Sequence, residues 1–191
     1  METLTEQPAR RMRRAERRDQ ILAAATRAFA RTGFAATGLD DVAAEAGISR
    51  VILYRHFESK TDLYRAVLDH ALTRLVATVG EDDFTPASVD ALLGAAAADP
   101  DGFRLLFHHA AREPEFRAEV DRLRAGSVEI AGRYFSEFIP DRAWATWATL
   151  LAPTVAVDAV IAWLDAGQPD RERAAERILQ VLGAITEAAQ R

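Results

Sequence analysis

Residues 47–60, GISRVILYRHFESK, decide how the rest of the chain is read. Two arginines, a tyrosine, a histidine and a lysine surround a short apolar core. A fully buried segment would strand that hydrogen-bonding capacity. An exposed loop would have no use for so many large apolar side chains. Both difficulties vanish if the segment is a helix with one buried side. Leu53 and Phe57 lie four apart and share a face. Arg50, Val51, Tyr54 and Arg55 then point away from it. Gly47 suits the positive φ that ends a preceding helix. Ser49 can cap the following helix or donate its hydroxyl to a phosphate. Two short helices joined by Gly-Ile-Ser are the geometry of a helix-turn-helix, whose exposed side meets a polyanion.

Outward from this stretch the apolar residues recur at helical spacing. A first helix is expected over about 9–32, with Ile21, Leu22, Ala25, Ala28 and Phe29 on one face. A second spans about 39–46 with Leu39, Val42 and Ala46 inward, and a third about 50–57. A fourth covers about 60–80 through Leu63, Val67, Leu68, Leu75, Val76 and Val79. Later helices are expected at about 86–98, 101–112, 114–138, 141–166 and 170–189. Pro114 fits a first helical turn, where its missing N–H costs nothing, and Asp170 can cap the last helix. No segment alternates as a half-buried strand does. The expected fold class is therefore all-α: an N-terminal three-helix domain with the helix-turn-helix and an Arg-rich arm (1–60), and a larger C-terminal helical domain (61–191).

Charge is distributed in the same two parts. The net charge of −5 superficially argues against a polyanionic partner. Residues 1–60 nevertheless hold 11 Arg/Lys against 8 Asp/Glu, a net of +3, whereas residues 61–191 carry a net of −8. Cysteine is absent, so there is no disulfide framework or thiolate metal site, which fits a reducing cytoplasm. The N-terminal arginines precede a run that Arg27 and Arg31 interrupt, unlike a secretory signal.

Taken singly, each polar residue of the opening stretch has a plainer reading: a solvated arginine, a half-buried tyrosine, a histidine in a structural hydrogen bond. Lys60 at a helix start opposes the local dipole, which a nearby phosphate would offset. Together they form a pattern. Residues 21–63 closely resemble the DNA-binding domain of the tetracycline-repressor (TetR) family. The resemblance runs through Ile21, Ala24, Ala25 and Phe29, Gly33-Phe34, Thr37, DVAAEAG at 41–47, Ser49, Leu53-Tyr54, His56-Phe57, Ser59-Lys60 and Leu63. It implies phosphate contacts from Thr37, Ser49, Tyr54, His56 and Lys60, and a major-groove face of Arg50, Val51 and Arg55. Three positions depart from the family's pattern. Gly38 lacks the usual hydroxyl, and Val51 and Ile52 are bulkier than the usual small or hydroxyl residues, so Val51 would meet a thymine methyl. For the arm RRMRR at 10–14 two readings stand: it reaches a groove, or it stays disordered.

Residues 143–164, AWATWATLLAPTVAVDAVIAWL, are apolar all round and long enough to span a bilayer. Asp158 would then sit in hydrocarbon without a partner, at a cost of about 2.5–3.5 kcal/mol, and no positive cluster flanks the run. A helix buried on every side is the better reading, and a dimer supplies the cover. The resemblance implies a homodimer through helices 141–166 and 170–189. It also implies a small-molecule effector among the C-terminal helices, making 61–191 an effector-binding and dimerisation domain. Apolar positions with polar outliers mark a tentative pocket of Phe103, Phe107, His108, Tyr134, Trp147, Thr154 and Asp158. Pro153 should kink its helix one turn after Thr149.

No catalytic constellation is found. RAGSVE at 124–129 lacks the second glycine of a nucleophile elbow, and no phosphate or dinucleotide loop is present. His108 and His109 diverge by about 100° on a helix and cannot easily share a metal. The acid pairs Asp40-Asp41 and Asp82-Asp83 read as helix-start and loop residues. The expectation is a duplex-DNA-binding repressor released from a palindromic operator by a small, largely apolar effector, with a regulator or activator that takes no effector as the alternative, and without enzyme activity, cofactor or metal.

Overall fold

The computed structural model describes residues 14–80 and 86–191. Among these residues the chain is helical with no strand. The helices are α1 (Arg14–Ala36), α2 (Leu39–Glu45), α3 (Arg50–Tyr54), α4 (Lys60–Val79), α5 (Pro86–Ala98), α6 (Pro100–Arg104), α7 (Arg117–Phe138), α8 (Arg142–Asp165) and α9 (Arg171–Gln190). The all-α class and the order of helices follow the hydrophobic periodicity. The arm at 10–13 and the Asp82-Asp83 pair lie outside the described residues.

Short polar side chains fix the helix starts. Asp62 N donates to Ser59 Oγ at 3.0 Å, Ala143 N to Asp141 Oδ1 at 2.8 Å, and Arg173 N to Asp170 Oδ1 at 3.2 Å. Three expected boundaries need correction, the third helix among them, which ends at Tyr54 rather than near residue 57. The first helix continues to Ala36 across Gly33, whose φ of 81° and ψ of 167° break the helical path. The stretch 101–112 is α-helical only through Arg104; it becomes a π turn over Leu105–His109 and a 3-10 turn over Ala110–Arg112. Here Ala110 N donates to Leu105 O, one residue farther back than in an α-helix. Hydrophobic spacing cannot register that extra residue.

α1 packs on α2 and α4, and also on α6, so the buried residues form one continuous core from Ile21 to Ala189. Phe29, Phe34, Tyr64 and Phe116 join the N-terminal helices to the start of α7. Tyr64 lies 4.9 Å from Phe29 and 4.4 Å from Phe116 between ring centroids, and Phe34 lies 4.9 Å from Phe116. The fully buried Tyr64 hydroxyl has no hydrogen-bond partner among the described residues. Burial, with Glu113 nearby, pushes its ionisation far above the usual tyrosine range. Tyr64→Phe keeps the ring contacts and removes an unsatisfied group. It should raise unfolding free energy by about 1 kcal/mol, read as a higher urea midpoint at unchanged slope.

α8 is the one helix among the described residues long and apolar enough to cross a membrane. It packs in the bundle against α7, α9 and α5. The bundle buries its Ala145, Ala148, Ala152, Ala156 and Val160, while Trp144, Trp147 and Leu150 are 51%, 38% and 56% exposed.

Candidate nucleic-acid interface and cavity

α3 is held from behind. Leu53 and Phe57 are fully buried, and the Arg18 guanidinium of α1 lies 4.5 Å above the Phe57 ring. Gly47 at φ 64° ends α2, with Ile48 N donating to Ala43 O at 3.0 Å. Gln20 Nε2 donates to Ala46 O at 2.8 Å, and Arg27 and Arg31 of α1 both hold Glu45, at 2.8 and 3.1 Å. These contacts tie the turn to α1. Those two arginines also keep the exposed Glu45 carboxyl below its usual range.

The opposite side is open. Val51 is 63% exposed, and Arg50, Tyr54 and Arg55 are exposed beside it. Arg50 donates to Tyr54 Oη at 3.3 Å and to Asp40 Oδ2 at 3.1 Å. Its guanidinium lies 5.5 Å from the Tyr54 ring. The hydrogen bond it donates to Tyr54, and then the Asp40 charge, raise its already high pKa. Arg50 is thus extended across the surface and ready to exchange Asp40 for another acceptor. Ser49 makes no side-chain capping bond, which leaves its exposed hydroxyl to solvent. At Gly38 the Asp41 carboxylate accepts the backbone N–H at 2.7 Å, restoring part of the cap that a hydroxyl would give. Partial burial, together with Arg14, Arg18 and Arg17, lowers the His56 pKa, so its ring is a neutral N–H donor at pH 7.

The second feature is a cavity of about 830 Å³ bounded by α4, α5, α7, α8 and α9. Its floor is apolar: Leu75, Leu92, Leu123, Ile130, Val157 and Leu182 are among its walls. Charged side chains, Asp69, Glu119, Arg122, Glu129 and Arg133, also line it. Glu119 accepts from Arg65 Nε of α4 at 3.3 Å, joining α7 to the helix that leads from the helix-turn-helix. The Arg65 guanidinium also lies 5.6 Å from the Phe116 ring.

The profile described as bacterial regulatory proteins, tetR family, matches residues 21–67, the segment that builds α1 through most of α4. Residues 21–67 thus resemble the N-terminal segment of tetR-family regulators. Among tetR-family and related regulators it is 38% identical over 119 residues to the HTH-type transcriptional activator FasR of Mycolicibacterium smegmatis, covering 58% of this chain and 54% of that protein. It is 32% identical over 120 residues to an HTH-type transcriptional repressor of Streptomyces coelicolor, covering 56% and 62% respectively. The chain therefore spans little more than half the length of these curated relatives. A TetR-like transcriptional regulator from a Rhodococcus species superimposes with a TM-score of 0.76 over 92% of this chain and 96% of that one, at 21% identity. That likeness shows the fold. Both curated relatives carry the names of transcriptional regulators.

Several expected site residues sit elsewhere than anticipated. Thr37 is buried, with its hydroxyl 2.6 Å from Gly33 O and 2.7 Å from Thr32 Oγ1. It closes the kink after Gly33, and its side chain has no path to a phosphate. Lys60 Nζ donates to Phe34 O at 2.8 Å and to Ala35 O at 3.3 Å, and lies 4.5 Å above the Phe34 ring. The carbonyls at the end of α1 and an aromatic face therefore account for a cation at this helix start, without a phosphate. Of the tentative pocket only Phe107 and Tyr134 line the cavity. Phe103 is buried in the core, 4.7 Å from Phe107 between ring centroids, and His108 lies outside the lining. Trp147, Thr154 and Asp158 are exposed. They share one stripe of α8, whereas Pro153, Ala156 and Val157, on the adjacent stripe, face the cavity. Pro153 thus belongs to the cavity wall, and Thr149 packs over Gly132 of α7.

Proposed function

We propose that the protein is a sequence-specific DNA-binding transcriptional regulator, a homodimer released from a palindromic operator by a small, largely apolar effector. The observation that carries this reading is the two-sided α3: Leu53 and Phe57 are buried, while Arg50, Val51, Tyr54 and Arg55 face outward. Arg50, Val51 and Arg55 would meet base edges, and Ser49, Tyr54 and His56 would meet phosphates. The exposed Trp144, Trp147 and Leu150 of α8, with Val181 of α9 at 49% exposure, would pack on a second copy. Two-fold symmetry would then set two α3 helices about one DNA turn apart, roughly 34–36 Å. Its place would be the cytoplasm, with the DNA.

The effector would occupy the cavity and move α4 through Glu119 and Arg65 and through Phe116, Tyr64 and Phe34. It releases the operator only if it binds the DNA-incompetent arrangement better. Repression is the preferred reading, and the position of the operator decides the sign; the two relatives described above carry opposite names, activator and repressor.

Two substitutions test the interface. Tyr54→Phe should weaken binding evenly across sequences and flatten the dependence of log K on log salt. Arg50→Ala should instead relax specificity at one base position, where a wrong base now costs about 1–3 kcal/mol. Fluorescence anisotropy with matched and mismatched duplexes separates the two. Unchanged affinity in both variants would contradict the placement of α3.

A further inference from the structure

We infer that the cavity is shaped for an elongated, single-chain apolar ligand rather than a compact multi-ring one; this rests on the effector reading above. Its lining on α7 runs from Glu119 to Phe135, about 24 Å at 1.5 Å per residue. On α4 it runs from Asp69 to Gly80, about 16 Å. The cavity of about 830 Å³ is drawn out along these two runs as a partly open channel.

Two glycines point the same way. Gly126 of α7 and Gly183 of α9 both line the cavity. Each sits in a helix interior, where glycine is less stable than alanine by about 0.8–1.0 kcal/mol. Two other helical glycines have close neighbours: a Cβ on Gly94 would meet Arg171 at 2.9 Å and one on Gly102 would meet Asp99 at 2.6 Å. A Cβ on Gly126 or Gly183 would meet nothing within 4 Å. Among the described residues no atom outside their own helix backbone crowds these two positions, and both keep the channel wide part-way along. The polar groups do not select a charge. Glu119 is paired with Arg65, Arg133 lies 3.6 Å from Glu129, and both signs line the wall. An uncharged polar end, able to use Ser127, Tyr134 or Thr186 of the lining, fits better than a strong anion or cation.

The test uses the full-length protein and the neutral fluorophore N-phenyl-1-naphthylamine, displaced by straight-chain primary alcohols of six to twelve carbons. Affinity should rise about fourfold per added methylene. Adamantane-1-methanol should displace less well than the straight chain of equal carbon number. Gly126→Leu and Gly183→Leu, which replace poor helix formers by good ones, should weaken dodecanol binding tenfold or more and leave hexanol unchanged. Equal displacement by the compact alcohol, or unaltered dodecanol affinity in both variants, would overturn the channel while leaving a binding cavity. A fluorophore that does not bind at all would overturn the effector reading and the channel with it.

Discussion

Changing Trp147 and Leu150 together to glutamate should leave each subunit folded, convert the protein to a monomer and lower operator affinity by on the order of 10³. Both side chains are exposed in the isolated subunit, at 38% and 56%, so the substitution removes no buried contact within it. In a dimer built on α8 and α9 the same positions would face their own copies, and four carboxylates would meet in a desolvated seam. A single subunit reaches only one half-site. It loses the effective concentration that the second reading helix enjoys once the first is bound. Sedimentation at micromolar concentration reads the assembly, and anisotropy on a selected operator reads the affinity. A dimer that persists in the double variant would place the interface elsewhere on the molecule.

The second large effect is expected at the joint between the N-terminal helices and the cavity. Phe116 is fully buried and packs edge-on against Phe34 and at a tilt against Tyr64. Phe116→Ala should cost about 3–5 kcal/mol, the transfer loss plus the residual hole. That is a large part of the whole stability of an ordinary domain, about 5–15 kcal/mol. It should appear as a clearly lower urea midpoint. Because Phe116 also carries the Arg65 guanidinium on its ring, the variant should show less communication between cavity and α3. Operator affinity measured with and without a bound cavity ligand should differ less than in the parent. A near-neutral Phe116→Ala would mean that the aromatic cluster does not join the two parts of the chain.

The helical plan was legible because its apolar residues repeat at helical spacing and its ends carry Asp, Ser, Gly and Pro where caps and breaks need them. Ser59, Asp141 and Asp170 each accept an N–H of the helix they begin. The two-sided character of α3 was legible from Leu53 and Phe57 alone, since two residues four apart define a face. The cavity was not. Which stripe of α8 turns inward depends on how it sits against α7 and α9. Trp147, Thr154 and Asp158 look like pocket residues by composition, yet they lie one stripe away from Pro153 and Val157. The π turn at Leu105–His109 shifts register by one residue without altering the apolar pattern, and Phe107 in that turn reaches the cavity while Phe103 stays in the core. Thr37 and Lys60 were assigned by resemblance. Their partners are Gly33, Thr32, Phe34 and Ala35, backbone and side-chain groups that become neighbours only once Gly33 has turned the chain. Gly126 and Gly183 stand out only against the space around them.

The outward side of α3 lying on a duplex is the claim on which the rest depends. It is tested most directly by sequencing the genomic duplex fragments that the purified protein retains, alongside those retained by the Arg50→Ala/Tyr54→Phe/Arg55→Ala triple variant. The parent should enrich one palindrome with half-sites spaced by about a helical turn, and the triple variant should enrich none. Retention of the same palindrome by the variant with the same affinity would contradict it.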